Sequence, residues 1–201
     1  NIFYKEKYYS ELAFHYWHWK NKLDLNDDTL VGFCQKRRFW LKKKSVDTII
    51  NKHNFSEHIL NDVPDEWEGF DSIICEPIFV NKVKKMKMIK RGFKSIVKKP
   101  LIFFDEKKQT LAFHFDMHHG YGNLKKAIDL IDIKDRAEFL DYVNTSVSYN
   151  PHIMFIAKPK ITNQWFNALF PWLLSCEEKF GFSELQGYDT QRLYAYLAER
   201  Y

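Results

Sequence analysis

The run HIMFIAKPKITNQWFNALFPWLLSCEEKFGF, residues 152–182, constrains the fold more than any other stretch. Residues 152–157 are mostly apolar, as in a buried strand. Residues 161–180 then carry apolar side chains at helical spacing and stop at Gly181, a residue type that commonly ends helices. A strand feeding a long amphipathic helix is the unit from which α/β domains are assembled.

The rest of the chain continues that alternation. Ser10 precedes ELAFHYWHWKN and reads as the N-cap of a helix to Asn21, with Leu12, Tyr16 and Trp19 on one face. Asp27 and Asp28 close a turn before a strand over 29–34. A weak helix is expected near 56–61, and a strand region over 70–80 is broken by Pro77. Residues 101–104 form a short apolar piece, 105–108 a turn and 110–115 a further strand. Helices are expected over 122–133 and 134–144, and Asp189 caps a final helix that runs to Tyr201. That helix lacks a stop signal and the chain starts inside an element, so the 201 residues are expected to be one domain from a longer protein.

At 201 residues the chain can bury a real core. An aromatic content of 17% serves that core and also builds platforms for sugar rings or bases. The opening NIFYKEKYYS puts charge and tyrosine where a secretion signal needs an apolar run. The longest apolar stretch, 165–174, is interrupted by Asn167 and Pro171 and falls short of the roughly 18–20 residues of a membrane span. Cys34, Cys75 and Cys176 lack metal-type spacing and sit in apolar contexts, so buried thiols in a cytoplasmic protein are expected.

The net charge of +5 is unevenly placed, because residues 82–99 hold nine Lys/Arg and no acid. A basic segment on a mildly acidic body suggests a surface held to an anionic partner, either phospholipid or nucleic acid. The plainer alternative is a solvated lysine-rich loop.

Three constellations are candidates for chemistry. In VGFCQKRRFW an apolar run breaks into Lys36, Arg37 and Arg38 at the carboxyl end of an expected strand, where open α/β sheets bind ligands. Arginine offers a fork of donors that matches phosphate oxygens, and a surface ion pair is the structural alternative. Asp116 and His118, with His114 and His119 nearby, resemble a metal site, but the ligand set is incomplete and a polar strand end or helix entry explains them better. Glu199 lies seven residues after Arg192, about two helical turns, and Asp189 is near the same face. A carboxylate beside arginines is either a general base or a structural ion pair. No Cys-x-x-Cys, P-loop or Gly-x-Gly-x-x-Gly occurs.

Four stretches in order, YYSELAFHYWHWKN, VGFCQKRRFW, the 152–182 run and GYDTQRLYAYLAERY, resemble a bacterial family known as domain of unknown function 4422. Its members occur in capsular and exopolysaccharide gene clusters and are treated as glycosyltransferases. The matching positions are Tyr9, Glu11, Leu12, Tyr16, Trp17, Trp19, Lys20 and Asn21, then Gly32, Arg37 and Arg38, then 153–156, then Arg192, Ala198, Glu199 and Arg200. Two departures stand out. Gln35-Lys36 replaces the family's His-Tyr before the arginines, and family members begin with a further strand upstream.

The resemblance implies an α/β, GT-A-like mixed sheet flanked by helices, of the nucleotide-diphospho-sugar transferase type, lacking its first strand and C-terminal end. It implies transfer from a nucleotide-sugar donor to a polysaccharide or lipid-linked acceptor. Lys36, Arg37 and Arg38 would bind the donor diphosphate in place of a metal held by Asp-x-Asp. Glu199, oriented by Arg192 and Arg200, is the expected catalytic carboxylate, with Asp189 beside it. Tyr9, Trp17 and Trp19 would frame the pocket, and Glu11, His119 and Met154 would contact substrate. No cofactor is expected, and segment 82–99 would rest on the inner membrane leaflet. The rival expectation is a non-catalytic polyanion or nucleic-acid-binding module built on 82–99.

Overall fold

The computed structural model describes residues 2–45, 47–151 and 153–201. A helical turn, Ile2–Lys5, leads into α1 (Glu6–Tyr9) and α2 (Leu12–Asn21). Ser10 does not cap α2: its backbone turns to φ 52° and its hydroxyl donates to the Glu11 carboxylate instead of accepting from a helix amide. The strand expected over 29–34 shrinks to β1 (Val31–Gly32). One further bond, Phe33 N–H to the Phe155 carbonyl at 2.8 Å, extends its pairing. α3 (Phe55–His58), β2 (Ser72–Ile74) and β3 (Ile78–Phe79) follow close to their expected places.

The basic segment folds as α4 (Lys85–Lys98), not as a loop. Met88, Gly92 and Ser95 form its inner face. A Cβ at Gly92 would come within 2.8 Å of the Phe113 ring, so only glycine lets α4 approach the next helix this closely.

That next helix, α5 (Leu111–His119), corrects the strand expected over 110–115. Leu111, Phe113, Phe115, Met117 and His119 are all buried, an alternation that imitates a strand. The alternation conceals two helical faces. Leu111 and Phe115, four apart, enter the main core, whereas Phe113 and Met117 join Met88 and Ile102 in a smaller cluster on the opposite side. A helix buried on both sides carries the same pattern as a half-buried strand.

α6 (Asn123–Ile128), α7 (Ile133–Thr145) and β4 (Ser148–Tyr149) precede β5 (Phe155–Ala157), which is shorter than the strand expected over 152–157: Ile153, in a turn, and Met154 come before it, and His152 lies outside the described residues. α8 (Pro159–Phe180) starts with proline in its first turn and ends at Gly181, φ 60°. The single final helix is instead two, α9 (Tyr188–Gln191) and α10 (Leu193–Ala198), separated at Arg192, where φ is −96° and ψ 33°. Asp189 therefore lies inside α9 and caps nothing.

β5 is the centre of a three-stranded sheet, order β1-β5-β2, with both neighbours antiparallel to it. β3 and β4 form a second antiparallel pair. The molecule is thus mixed α/β with small sheets, and among the described residues no strands pair in parallel as a mixed sheet would require. The core between sheet and α8 is aromatic. Phe33 stacks near His15 (4.4 Å), Phe155 (4.9 Å) and Phe166 (5.7 Å), and Trp19 lies 5.5 Å from Phe170. Such pairs contribute about 0.5–1.5 kcal/mol each beyond their buried area. Of the three thiols only Cys176 is buried; Cys34 is exposed, contrary to expectation, because its strand ends before it.

Candidate active site

The larger cavity, about 340 Å³, sits on one face of the sheet. Ser72 and Ile74 of β2 and Phe155 and Ala157 of β5 form its floor, alternate residues of neighbouring strands pointing the same way. Ile161, Thr162 and Trp165 from the start of α8 make one wall, and Tyr142 of α7 another. The residues after α10, Glu199 to Tyr201, close it, and Asn150, Ile153 and Met154 line the approach from β4 to β5. Ile153 holds φ 53°, a conformation that a β-branched residue rarely adopts, and such strain of about 1–3 kcal/mol concentrates at functional sites.

Charge in the cavity is concentrated in two adjacent residues. The Arg200 side chain is 1% exposed and that of Glu199 13%, with Arg200 Nη1 3.3 Å from Glu199 Oε2. The guanidinium lies 3.6 Å over the Tyr149 ring and 3.5 Å from His114 Nδ1. Among the described residues its Nε has no hydrogen-bond partner, and neither has the hydroxyl of Thr162, which is fully buried. Buried polar atoms normally find partners, so two orphans on residues lining one cavity mark a place built to receive polar groups. Burial, with the Arg200 charge next in weight, lowers the His114 pKa to about 2 and keeps that ring neutral.

The smaller cavity, about 230 Å³, is lined by Glu6, Lys7, Ser10, Glu11, Lys36 and Arg192. Lys36 is already paired with Glu6. Burial tends to raise the Glu11 pKa, but hydrogen bonds from Ser10 and from backbone amides, helped by the Arg192 charge, lower it overall.

The expected site residues thus separate. Met154, Glu199 and Arg200 meet in the larger cavity, while Glu11, Lys36 and Arg192 line the smaller one. Arg192 does not share a helical face with Glu199, because the helix breaks at Arg192. Arg37 and Arg38 occupy a tight turn in which the backbones of Gln35 and Arg38 bond each other at 3.1 and 3.3 Å; both are exposed and line neither cavity.

Tyr9 is fully buried, stacked on Tyr194 at 4.9 Å and donating to Glu177 at 2.8 Å, so no ring face is open for a sugar. Trp17 lies on the surface against Phe14, and Trp19 bonds Asn163 at 2.8 Å within the core wall. His119 is buried, stacks on Tyr196 at 3.8 Å and donates to the Asp189 carbonyl at 2.8 Å, while the Asp189 carboxylate accepts from Arg91 at 2.9 Å. Asp116 accepts from Ser95 (3.0 Å) and the Gly122 amide (2.9 Å), which makes it a structural clasp. Among the described residues no three His, Cys, Asp or Glu side chains cluster to hold a metal. Sequence reasoning missed Thr162, Trp165, Tyr142 and Tyr201. Thr162, Trp165 and Tyr142 could have been pointed to only by their membership of the helices around the sheet, and Tyr201 only by its place directly after Arg200.

Residues 1–201 match the family described as Domain of unknown function (DUF4422). The chain belongs to DUF4422. A solved structure, the apo form of WbbM, a bifunctional glycosyltransferase, superposes on this DUF4422 chain with a TM-score of 0.66 at 19% identity. The match covers 98% of this chain and 33% of WbbM, so the chain spans about a third of that structure's length. No curated protein matches it. The likeness to WbbM shows a shared fold, and its glycosyltransferase title belongs to WbbM.

Proposed function

We propose that this DUF4422 domain moves a sugar from a nucleotide-sugar donor to a polysaccharide or lipid-linked acceptor in the making of a capsular or exopolysaccharide. The observation that carries the reading is the larger cavity, whose lining includes Glu199, Arg200 and Thr162 together with the aromatic side chains of Tyr142, Trp165 and Tyr201, and in which Arg200 and Thr162 each hold a buried polar atom without a partner among the described residues. Glycosyl transfer needs those three chemistries. A cation must take up the charge that grows on the departing diphosphate as its bond to the sugar breaks. A carboxylate must accept the proton of the acceptor hydroxyl as the new bond forms. Ring faces and hydroxyls must hold the sugar.

Arg200 is assigned the first role, Glu199 the second, and Trp165, Tyr201 and Thr162 the third. The charge at the diphosphate is thereby a guanidinium, with Arg37 and Arg38 the rival position. The fold shared with WbbM supports the class of reaction, and a cytoplasmic location follows from the proposal because the donor is a nucleotide. A thermal-shift screen of nucleotide sugars on the full-length protein, followed by a transfer assay in excess chelator, tests it. One donor should raise Tm and transfer should persist. No response to any donor, or transfer that only manganese restores, would remove the assignment.

A further inference from the structure

Helix α4 has two apolar faces, and the protein covers one. Met88 and Gly92 pack on α5, while Met86, Ile89, Phe93 and Val97 are 77%, 47%, 62% and 62% exposed. Their spacing of three, four and four places them in one outward stripe along the helix. Leu101 and Phe104, just beyond α4, are 65% and 77% exposed and lengthen the apolar surface. Lys87, Lys90, Lys94 and Lys98, all exposed, run beside the stripe. The segment carries no acidic residue at all.

We infer that α4 docks on an anionic phospholipid surface, lying in the plane of the interface with Met86, Ile89, Phe93 and Val97 among the acyl chains and its lysines at the headgroups. An apolar stripe bordered by lysines is the pattern of helices that lie in a membrane interface. Lysines near anionic lipid are attracted within about one Debye length of the surface. At 14 residues α4 is too short to cross, and no helix among the described residues is long and apolar enough to do so. A second copy of the same face would set lysine against lysine, a costly arrangement. A nucleic acid would satisfy the lysines but has no use for exposed Met, Ile and Val. Docking rests on α4 alone; that it presents a lipid-linked acceptor to the cavity rests on the proposed function.

Co-sedimentation of the full-length protein with vesicles tests the inference. Binding is expected to phosphatidylglycerol-containing vesicles and not to pure phosphatidylcholine. Two surface variants separate the terms, Lys87/Lys90/Lys94/Lys98→Gln and Ile89/Phe93/Val97→Ser. Each should lower vesicle partition by at least about tenfold. Both should leave the donor-induced Tm shift unchanged, so that failure here stays distinct from failure of the sugar-transfer reading. Wild-type binding by the serine variant, absence of binding by the wild type, or tighter binding to a single-stranded oligonucleotide that only the glutamine variant loses would each overturn the inference.

Discussion

The larger cavity and the turn at 35–38 both offer guanidinium groups, in opposite settings. Arg200 is buried beside Glu199 and over Tyr149, with one donor unspent. Arg37 and Arg38 stand in water, and Arg38 spends a donor on Gln35 at 2.9 Å. A hydrated cation interacts weakly and is screened by salt, whereas a desolvated one acts strongly on any anion brought near it. The pattern of the sequence favours the turn; the energetics of burial favour the cavity.

Removal of the buried cation should have the largest effect. Arg200→Ala removes the guanidinium from a buried ion pair with Glu199, at a cost of about 3–5 kcal/mol measured by urea unfolding. Arg200→Lys keeps a charge but loses the fork, and should lower transfer about 10²-fold. Glu199→Gln should lower transfer by about 10²–10⁴-fold and also lower Tm, since the buried Arg200 charge loses its counter-ion. If instead Arg37→Ala abolishes transfer while Arg200→Lys preserves it, the diphosphate belongs at the turn.

Acid should distinguish the regions as well. Burial, first among the causes in each ring, lowers the pKa of His114 to about 2, His118 to about 4 and His119 to about 3, against the ordinary 6.5. The unfolded chain then binds more protons than the folded one below that ordinary value, so stability is full above pH 6.5 and falls as the pH drops. The urea midpoint should decline from pH 7 toward pH 5 by about the same amount in Arg38→Gln as in the wild type, and less in His114→Asn, which lacks one of the rings.

Thr162→Val offers a finer test. In the absence of ligand the loss of an orphan buried hydroxyl should be neutral or stabilising by up to about 1 kcal/mol, while donor affinity falls. Arg38→Gln should be the quietest change, within about 0.5 kcal/mol in stability.

Much of the fold was legible because its signals are local. Gly181 marks the end of α8, and the apolar spacing before it fixes which face is buried. Strand lengths were not legible, since β1 and β5 owe their extent to each other and not to their own composition. Thr110 to Phe115 misled because periodicity reports burial without saying on how many sides. The adjacent Glu199 and Arg200 were visible through the family pattern, but the break at Arg192 depends on backbone geometry that no residue type announces. Thr162 was invisible, since a threonine on the inner face of a helix looks like any other core position until its hydroxyl is found without a partner.

Helix α5 divides the interior into a large compartment and a small one, the latter centred on Met88, Ile102, Phe113 and Met117. A compartment so modest holds its helix with little reserve, so α4 should open to amide exchange well before the sheet does. The molecule can loosen along one flank while the opposite flank stays closed.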